Sequence, residues 1–240
     1  MSWSASGGVA SAIVVMAIAA IALAGCGSQL GMGRARTLDR GVTELGAGLQ
    51  GDLAVAGTGE EQTLPVPWAH ASVRAHHGLH ERVEIGARAW GFGFPLSAVT
   101  FGVAADAKFG LYRPRPAESR WNVAVALSPS YHQILYAEAP NHVFGVTLPV
   151  LIGRTFGEHE LTFGPRVADF VSTSYGQETI HSVWPGASAA FAIRIGQRLD
   201  LTPELVILHS PLALNGESES DDRRGITLLQ SGIGASFRVP

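Results

Sequence analysis

Trp68 to Phe92 reads WAHASVRAHHGLHERVEIGARAWGF, and its alternation decides the fold. Ala69, Ala71, Val73 and Ala75 alternate with His70, Ser72, Arg74 and His76; after a turn around Gly78, Val83, Ile85, Ala87 and Ala89 alternate with Glu84, Gly86, Arg88 and Trp90. Successive side chains of a strand point to opposite faces, so this period of two predicts a hairpin with one small apolar face and one face of charges, His and Gly.

The same rule repeats along the chain. Thr43, Leu45, Ala47, Leu49, Leu53 and Val55 oppose Glu44, Gly46, Gly48, Gln50 and Asp52 in a first strand that starts near Val42. Seven further alternating segments follow the hairpin. They begin near Thr100, Trp121, Phe144, Glu160, Val183, Leu199 and Leu229, and the one at Glu160 looks shorter than the rest. Ten strands of roughly nine to thirteen residues predict an antiparallel up-and-down meander, and a membrane-spanning strand needs about 9 to 11 residues. The connections alternate too. Gly78 to Arg82, Gly157 to His159 and Gly196 to Arg198 read as tight turns, whereas Gly57 to Pro65, Gln133 to Asn141, Ser172 to His181 and Ser210 to Arg224 are longer and polar. Short turns on one side and long loops on the other suit a transmembrane barrel.

Alternation alone fits a membrane barrel, apolar outside, and equally a soluble carrier barrel, apolar inside. The glycines favour the former. Gly46, Gly48, Gly86, Gly110, Gly145, Gly153, Gly164, Gly232 and Gly234 share the polar parity, where a narrow lumen needs room for long charged side chains. That parity mixes signs. Glu44, Glu84, Asp106 and Glu204 are predicted to pair across the lumen with Arg74, Arg88, Lys108, Arg166 and Arg194, with Asp52 and Arg238 nearby, as buried charges persist when paired.

With 46% hydrophobic and 15% charged residues over 240 positions, the chain has the material for one sizeable folded domain. A formal charge of −3 leaves no basic stripe, which sets nucleic-acid binding aside. Residues 9 to 25, VASAIVVMAIAAIALAG, form an apolar run ending in small residues, as in a secretory signal. It ends at the single cysteine, and Leu23, Ala24, Gly25 and Cys26 resemble the lipobox of bacterial lipoproteins. That resemblance implies cleavage after residue 25 and acylation of Cys26 by fatty acids such as palmitate. A plain secretory signal or a membrane anchor, with Cys26 incidental, is the bland alternative. The predicted organisation is a leader over 1–25, a flexible tether over 26–41 and a barrel over 42–240, with a signal helix ahead of the strands.

The LAGC box, the ARTL lead-in at Ala35 to Leu38, the hairpin ending ERVEIGAR, the ADAKFGLYRP strand and the aromatic Phe237 in the last strand together resemble small outer-membrane β-barrel proteins of Gram-negative bacteria, in particular barrel lipoproteins. The resemblance implies an outer-membrane location, contact with lipid and lipopolysaccharide, and insertion by the barrel assembly machinery. It implies no known reaction; the expected function is structural or the transport of a small ligand, without a cofactor.

Other constellations are weaker. His70, His76, His77 and His80 are close in sequence, but His76 and His77 belong to opposite faces, so hydrogen-bonding roles fit better than a metal site. His181, Ser182, His209, Ser210, Asp221 and Asp222 lie near two long loops and give a barrel enzyme acting on lipid or peptide as the alternative, provided that they converge. The loops carrying Glu60, Glu61, Glu138, Glu178 and Glu217 to Arg224 are acidic, as solvated loops commonly are, and Arg113 to Pro116 reads as a stiff connector.

Overall fold

The computed structural model describes residues 33–56, 67–91, 99–114, 120–135, 140–174, 179–210 and 226–239. Among them ten strands run in chain order: β1 (Thr43–Ala56), β2 (Pro67–His80), β3 (Val83–Gly91), β4 (Val99–Tyr112), β5 (Trp121–Leu135), β6 (Pro140–Phe156), β7 (His159–Ser174), β8 (Ile180–Ile195), β9 (Leu199–Ser210) and β10 (Ile226–Val239). Each pairs antiparallel with its neighbours in sequence, and β1 closes on β10 from Thr43↔Val239 to Ala56↔Ile226. Closure leaves no open edge. Tight turns at Gly157 and Gly196 adopt positive φ of 62° and 67°, which glycine reaches without a Cβ penalty.

The parity is resolved in favour of the membrane barrel. Leu45, Leu49, Val73, Val103, Phe109, Leu127, Phe144, Leu148, Phe163, Ile207 and Ile233 are exposed on the outer wall, while Asp52, Glu84, Arg88, Asp106, Asn122, Glu160, Arg166 and Asp200 are buried in the lumen. A soluble carrier has the reverse arrangement.

Three expectations are corrected. The strands reach 17 residues in β6, and β7 is not short but spans 16. Its alternation keeps period two while changing sign: beyond Val167 the inward side chains become apolar, Ala168 and Phe170, and the outward Asp169 becomes polar. A reading that follows polarity stops there. The third correction concerns the tether. From Gly33 the chain is packed in the barrel mouth, with Gly33, Ala35, Thr37 and Leu38 buried. Ala35 joins Ala124, Ala126 and Leu151 in an apolar cluster. A Gly- and Arg-rich composition concealed these contacts, which are made chiefly by backbone amides. Residues 1–32, with Cys26, the leader and its signal helix, and nearly all of the long loops, lie outside the described residues.

Candidate functional site

Residues 33–38 are packed into the turn end of the lumen, and carboxylates on three strands hold this plug, with a fourth, Glu44, beside them. Glu160, fully buried on β7, accepts the amides of Ala35 at 2.9 Å and Arg36 at 3.1 Å through Oε1. Glu84 on β3 accepts the Leu38 amide through Oε2 at 2.9 Å and holds Lys108 of β4 at 2.8 Å through Oε1. Lys108 in turn donates to the Arg34 carbonyl at 3.4 Å. Asp200 on β9, 1% exposed, gathers three guanidinium groups, Arg34 at 2.6 Å, Arg194 at 2.7 Å and Arg238 at 3.1 Å. Glu44 on β1 receives Arg238 at 3.3 Å and Arg74 at 3.9 Å. At the rim Arg113 bonds Asp39 and the Glu81 carbonyl, and Thr37 donates to that carbonyl at 2.6 Å. Charge-assisted hydrogen bonds of this kind are the stronger ones, and here most are shielded from water.

Further along the lumen, Arg88 of β3 meets Asp106 of β4 at 3.1 Å and donates to Ser128 of β5 at 3.3 Å; Ser128 donates to Asp106. His76 bridges the two groups, with Nδ1 2.8 Å from Glu84 and Nε2 3.5 Å from Asp106. Arg166 of β7 reaches Glu204 of β9 at 3.8 Å, passing over the small inward residues of β8.

All nine residues of the anticipated network, Glu44, Arg74, Glu84, Arg88, Asp106, Lys108, Arg166, Arg194 and Glu204, therefore face the lumen. Most do not pair across it. Glu84 and Lys108 are register partners, as are Arg194 and Asp200, so the charges run along the wall between neighbouring strands. Asp200 shares parity with Thr202 and Glu204 but stands just past the turn-like Gln197-Arg198 pair, where the alternation has only just begun. Glu160 belongs to the polar parity of β7, and its partners are the backbone amides of the plug. Arg34 was placed in the tether.

Toward the loop end the lumen divides. On β1, β2 and β10 it carries Gln50, Asp52, His70 and Gln230, all buried, with His70 Nε2 3.0 Å from Asp52 Oδ2. On β5 to β9 large apolar groups dominate: Ile134, Val143, Phe170, Trp184, Val206 and Leu208 are buried there, beside the smaller polar Asn141, Ser172, Ser182 and Ser210. His132 meets Trp90 at 6.3 Å and Phe170 at 6.5 Å between ring centroids.

The loop-end histidines do not assemble a catalytic group among the described residues. His181 points outward to Asp169 at 2.5 Å, and His209 outward to Thr227 at 3.1 Å. Ser182 faces inward and accepts the Trp184 indole N–H at 2.9 Å. Asp221 and Asp222 lie outside the described residues. The β2 histidines also separate: His70 and His76 face the lumen, His77 bonds Thr43 at 2.9 Å, and His80 is exposed. No cluster of three metal-ligating side chains occurs among the described residues.

On β5 to β9 the outer wall carries a partial girdle of aromatic and polar groups near each end. On the turn side Trp121 packs edge-on to Phe163 and takes the Arg154 guanidinium 5.4 Å from its ring. On the loop side Tyr131 bonds His142 at 2.8 Å, followed around the barrel by the Asp169 and His181 pair and by His209. From Trp121 to Tyr131, from His159 to Asp169 and from Leu199 to His209 is ten residues in each case. At about 3.3 Å per residue and a tilt of about 40°, that is an apolar band about 25 Å tall, the height of the lipid-facing band of outer-membrane barrels.

No protein-family profile and no curated protein sequence matches the chain. Solved structures do. An outer membrane channel from Pseudomonas putida F1 aligns at a TM-score of 0.53 and 10% identity, over 88% of this chain and 100% of that one. The outer membrane protease OmpT from Escherichia coli aligns at 0.48 and 9% identity, over 86% and 100%. OprG, an outer membrane protein of Pseudomonas aeruginosa, aligns at 0.37 and 8% identity, over 85% and 98%. At these identities the likeness to the channel shows the fold, that of a small outer-membrane β-barrel of Gram-negative bacteria.

Proposed function

We propose that the chain is an outer-membrane barrel lipoprotein, held by its strands and by acylated Cys26, whose narrow lumen serves a structural role or the passage of a small ligand. The observation that carries this reading is the apolar band between the two girdles, because lipid is the solvent that such a surface requires. Lipid and lipopolysaccharide would cover the band, and insertion would require the barrel assembly machinery.

Acylation is compatible with the plug. Cys26 precedes Gly33 by seven residues, which reach about 24 Å when extended, enough to run from the barrel mouth to the adjacent leaflet. Acyl chains contribute about 0.8 kcal/mol per buried methylene, so they add to a membrane attachment that the strands already provide. Cys26→Ser is expected to lose labelling by a fatty-acid analogue yet stay in the membrane fraction. Its release into the soluble periplasm would count against a spanning barrel. Short turns face the periplasm in such barrels, so this reading takes the turn end, where residues 33–38 lie, as the periplasmic one. An epitope inserted near Ser218 should then be accessible on intact cells; one reached only after permeabilisation reverses the sidedness.

A further inference from the structure

The lumen along β10, β1 and β2 is built differently from the rest. Gly46, Gly48, Gly232 and Gly234 occupy adjoining inward positions there, so the wall contributes no side chains at those four positions. A Cβ at Gly46 would stand 2.8 Å from Arg74 Nε, which shows that the guanidinium lies over this bare wall. Arg74 and Arg88 are direct register partners on β2 and β3, both inward. Like charges directly opposite one another destabilise a sheet unless something compensates. Arg88 has Asp106 and Ser128, but the Glu44 carboxylate stands 3.9 Å from Arg74.

Between the two arginines is a cavity of about 30 Å³, lined also by Gln50, Ser72, Thr202 and Glu204. It has room for one small ion or a water or two. Its carboxylate, Glu204, is turned to Arg166. On the other side of Arg74 and Thr202 is a second cavity of about 20 Å³, bounded by the plug residues Gly33, Arg34, Arg36 and Leu38 and by Glu44, His76, Glu84 and Lys108. Cationic side chains outnumber carboxylates around both.

We propose that the Arg74–Arg88 cavity is a binding site for a small inorganic anion, on a passage that the residue 33–38 plug closes from the turn end. Arg74 is the constriction between the two cavities and the residue that sets the sign of the transported charge, as rings of Arg or Lys do in anion pores. The inference deepens the small-ligand reading above and rests on the barrel spanning a membrane.

The test uses the full acylated chain in planar bilayers under a potassium chloride gradient. Wild type should be closed. A variant whose residues 33–38 are replaced by six Gly and Ser residues should show small conductance steps with the reversal potential of a chloride-preferring pore. Arg74→Gln in that background should move this potential toward zero. A folded plug variant that stays silent, one that prefers potassium, or one whose selectivity ignores Arg74→Gln overturns the proposal. Flotation of wild type with liposomes is scored separately, since failure there defeats the spanning barrel rather than the anion site. Chloride-35 line broadening by wild type in micelles, lost in Arg74→Gln, reads the site without any plug variant; unchanged broadening in Arg74→Gln also overturns it.

Discussion

Toward the loop end of β5 to β9 the lumen is packed with Phe170, Trp184, Val206 and Leu208, whereas midway along β10, β1 and β2 the inward positions carry Gly46, Gly48, Ser72, Gly232 and Gly234. The first half is a close-packed core of the kind found inside soluble proteins. The second is a bare wall over which charged side chains and small cavities lie. A narrow barrel needs rigidity from somewhere, and concentrating it in one half leaves the other free to hold water, ions or a plug.

The largest expected effect contrasts the halves directly. Phe170→Ala should cost about 3 to 5 kcal/mol of unfolding free energy, as for other large-to-small changes in packed cores, measured by urea titration in lipid vesicles. Ser72→Ala, on the bare wall, should stay within about 0.5 kcal/mol. Equal losses would erase the distinction between core and passage.

A comparable loss with a different origin is expected for Arg88→Ala, at the boundary between the halves. Asp106 is buried and would keep Ser128 and His76 but lose its guanidinium, and removing one partner of a buried pair costs roughly 3 to 5 kcal/mol. The melting temperature should fall, and Asp106→Asn added to Arg88→Ala should recover part of the loss. Failure of that rescue would mean that Arg88 acts by filling space, as the side chains of the packed half do.

Much of this was legible in the alternation. Hydrophobic period two gave the ten strands, and the glycines on the polar parity identified which face is inside, because only a crowded lumen uses them. What escaped was the sign change near the loop end. There Phe170, Trp184 and Leu208 turn inward while Asp169, His181 and His209 turn outward, so the same strands behave like a soluble barrel once they pass the lipid. Periodicity cannot report that reversal, since it depends on where the bilayer ends. The plug was hidden for another reason: Ala35, Arg36 and Leu38 are held by their backbone amides, and every residue type except proline has one.

The outer wall over the packed half offers a third test, of about 2 to 4 kcal/mol. Val125 is an outward residue next to the midpoint between Trp121 and Tyr131, so Val125→Lys should cost that amount. Ile193, by contrast, pairs with Leu201 close to the turn at 196–198, near the girdle, and Ile193→Lys should cost only about 0 to 1 kcal/mol. Similar penalties at the two positions would shift the band from the height the girdles define.

The smallest effect gives the sharpest contrast, because the same substitution should change sign between the halves. A Cβ at Gly145 would stand 2.5 Å from Phe170 Cδ1 and 2.9 Å from Ser130 Oγ, in the part of the lumen where neighbours cannot give way. Gly145→Ala is therefore an overpacking change and should destabilise by about 1 to 3 kcal/mol. At Gly234 the nearest atoms would be the Ala47 carbonyl oxygen at 3.5 Å and Arg74 Nη2 at 3.7 Å, an ordinary contact distance. Gly234→Ala restricts the unfolded chain without strain in the folded one, and should stabilise by about 0.4 to 1 kcal/mol. The methyl group would also stand beside Arg74, so in the plug-replaced variant it should narrow the conductance while leaving its anion preference intact. Destabilisation at Gly234 equal to that at Gly145 would show that the bare wall is as tightly filled as the packed one, and there would be no passage left for the plug to close.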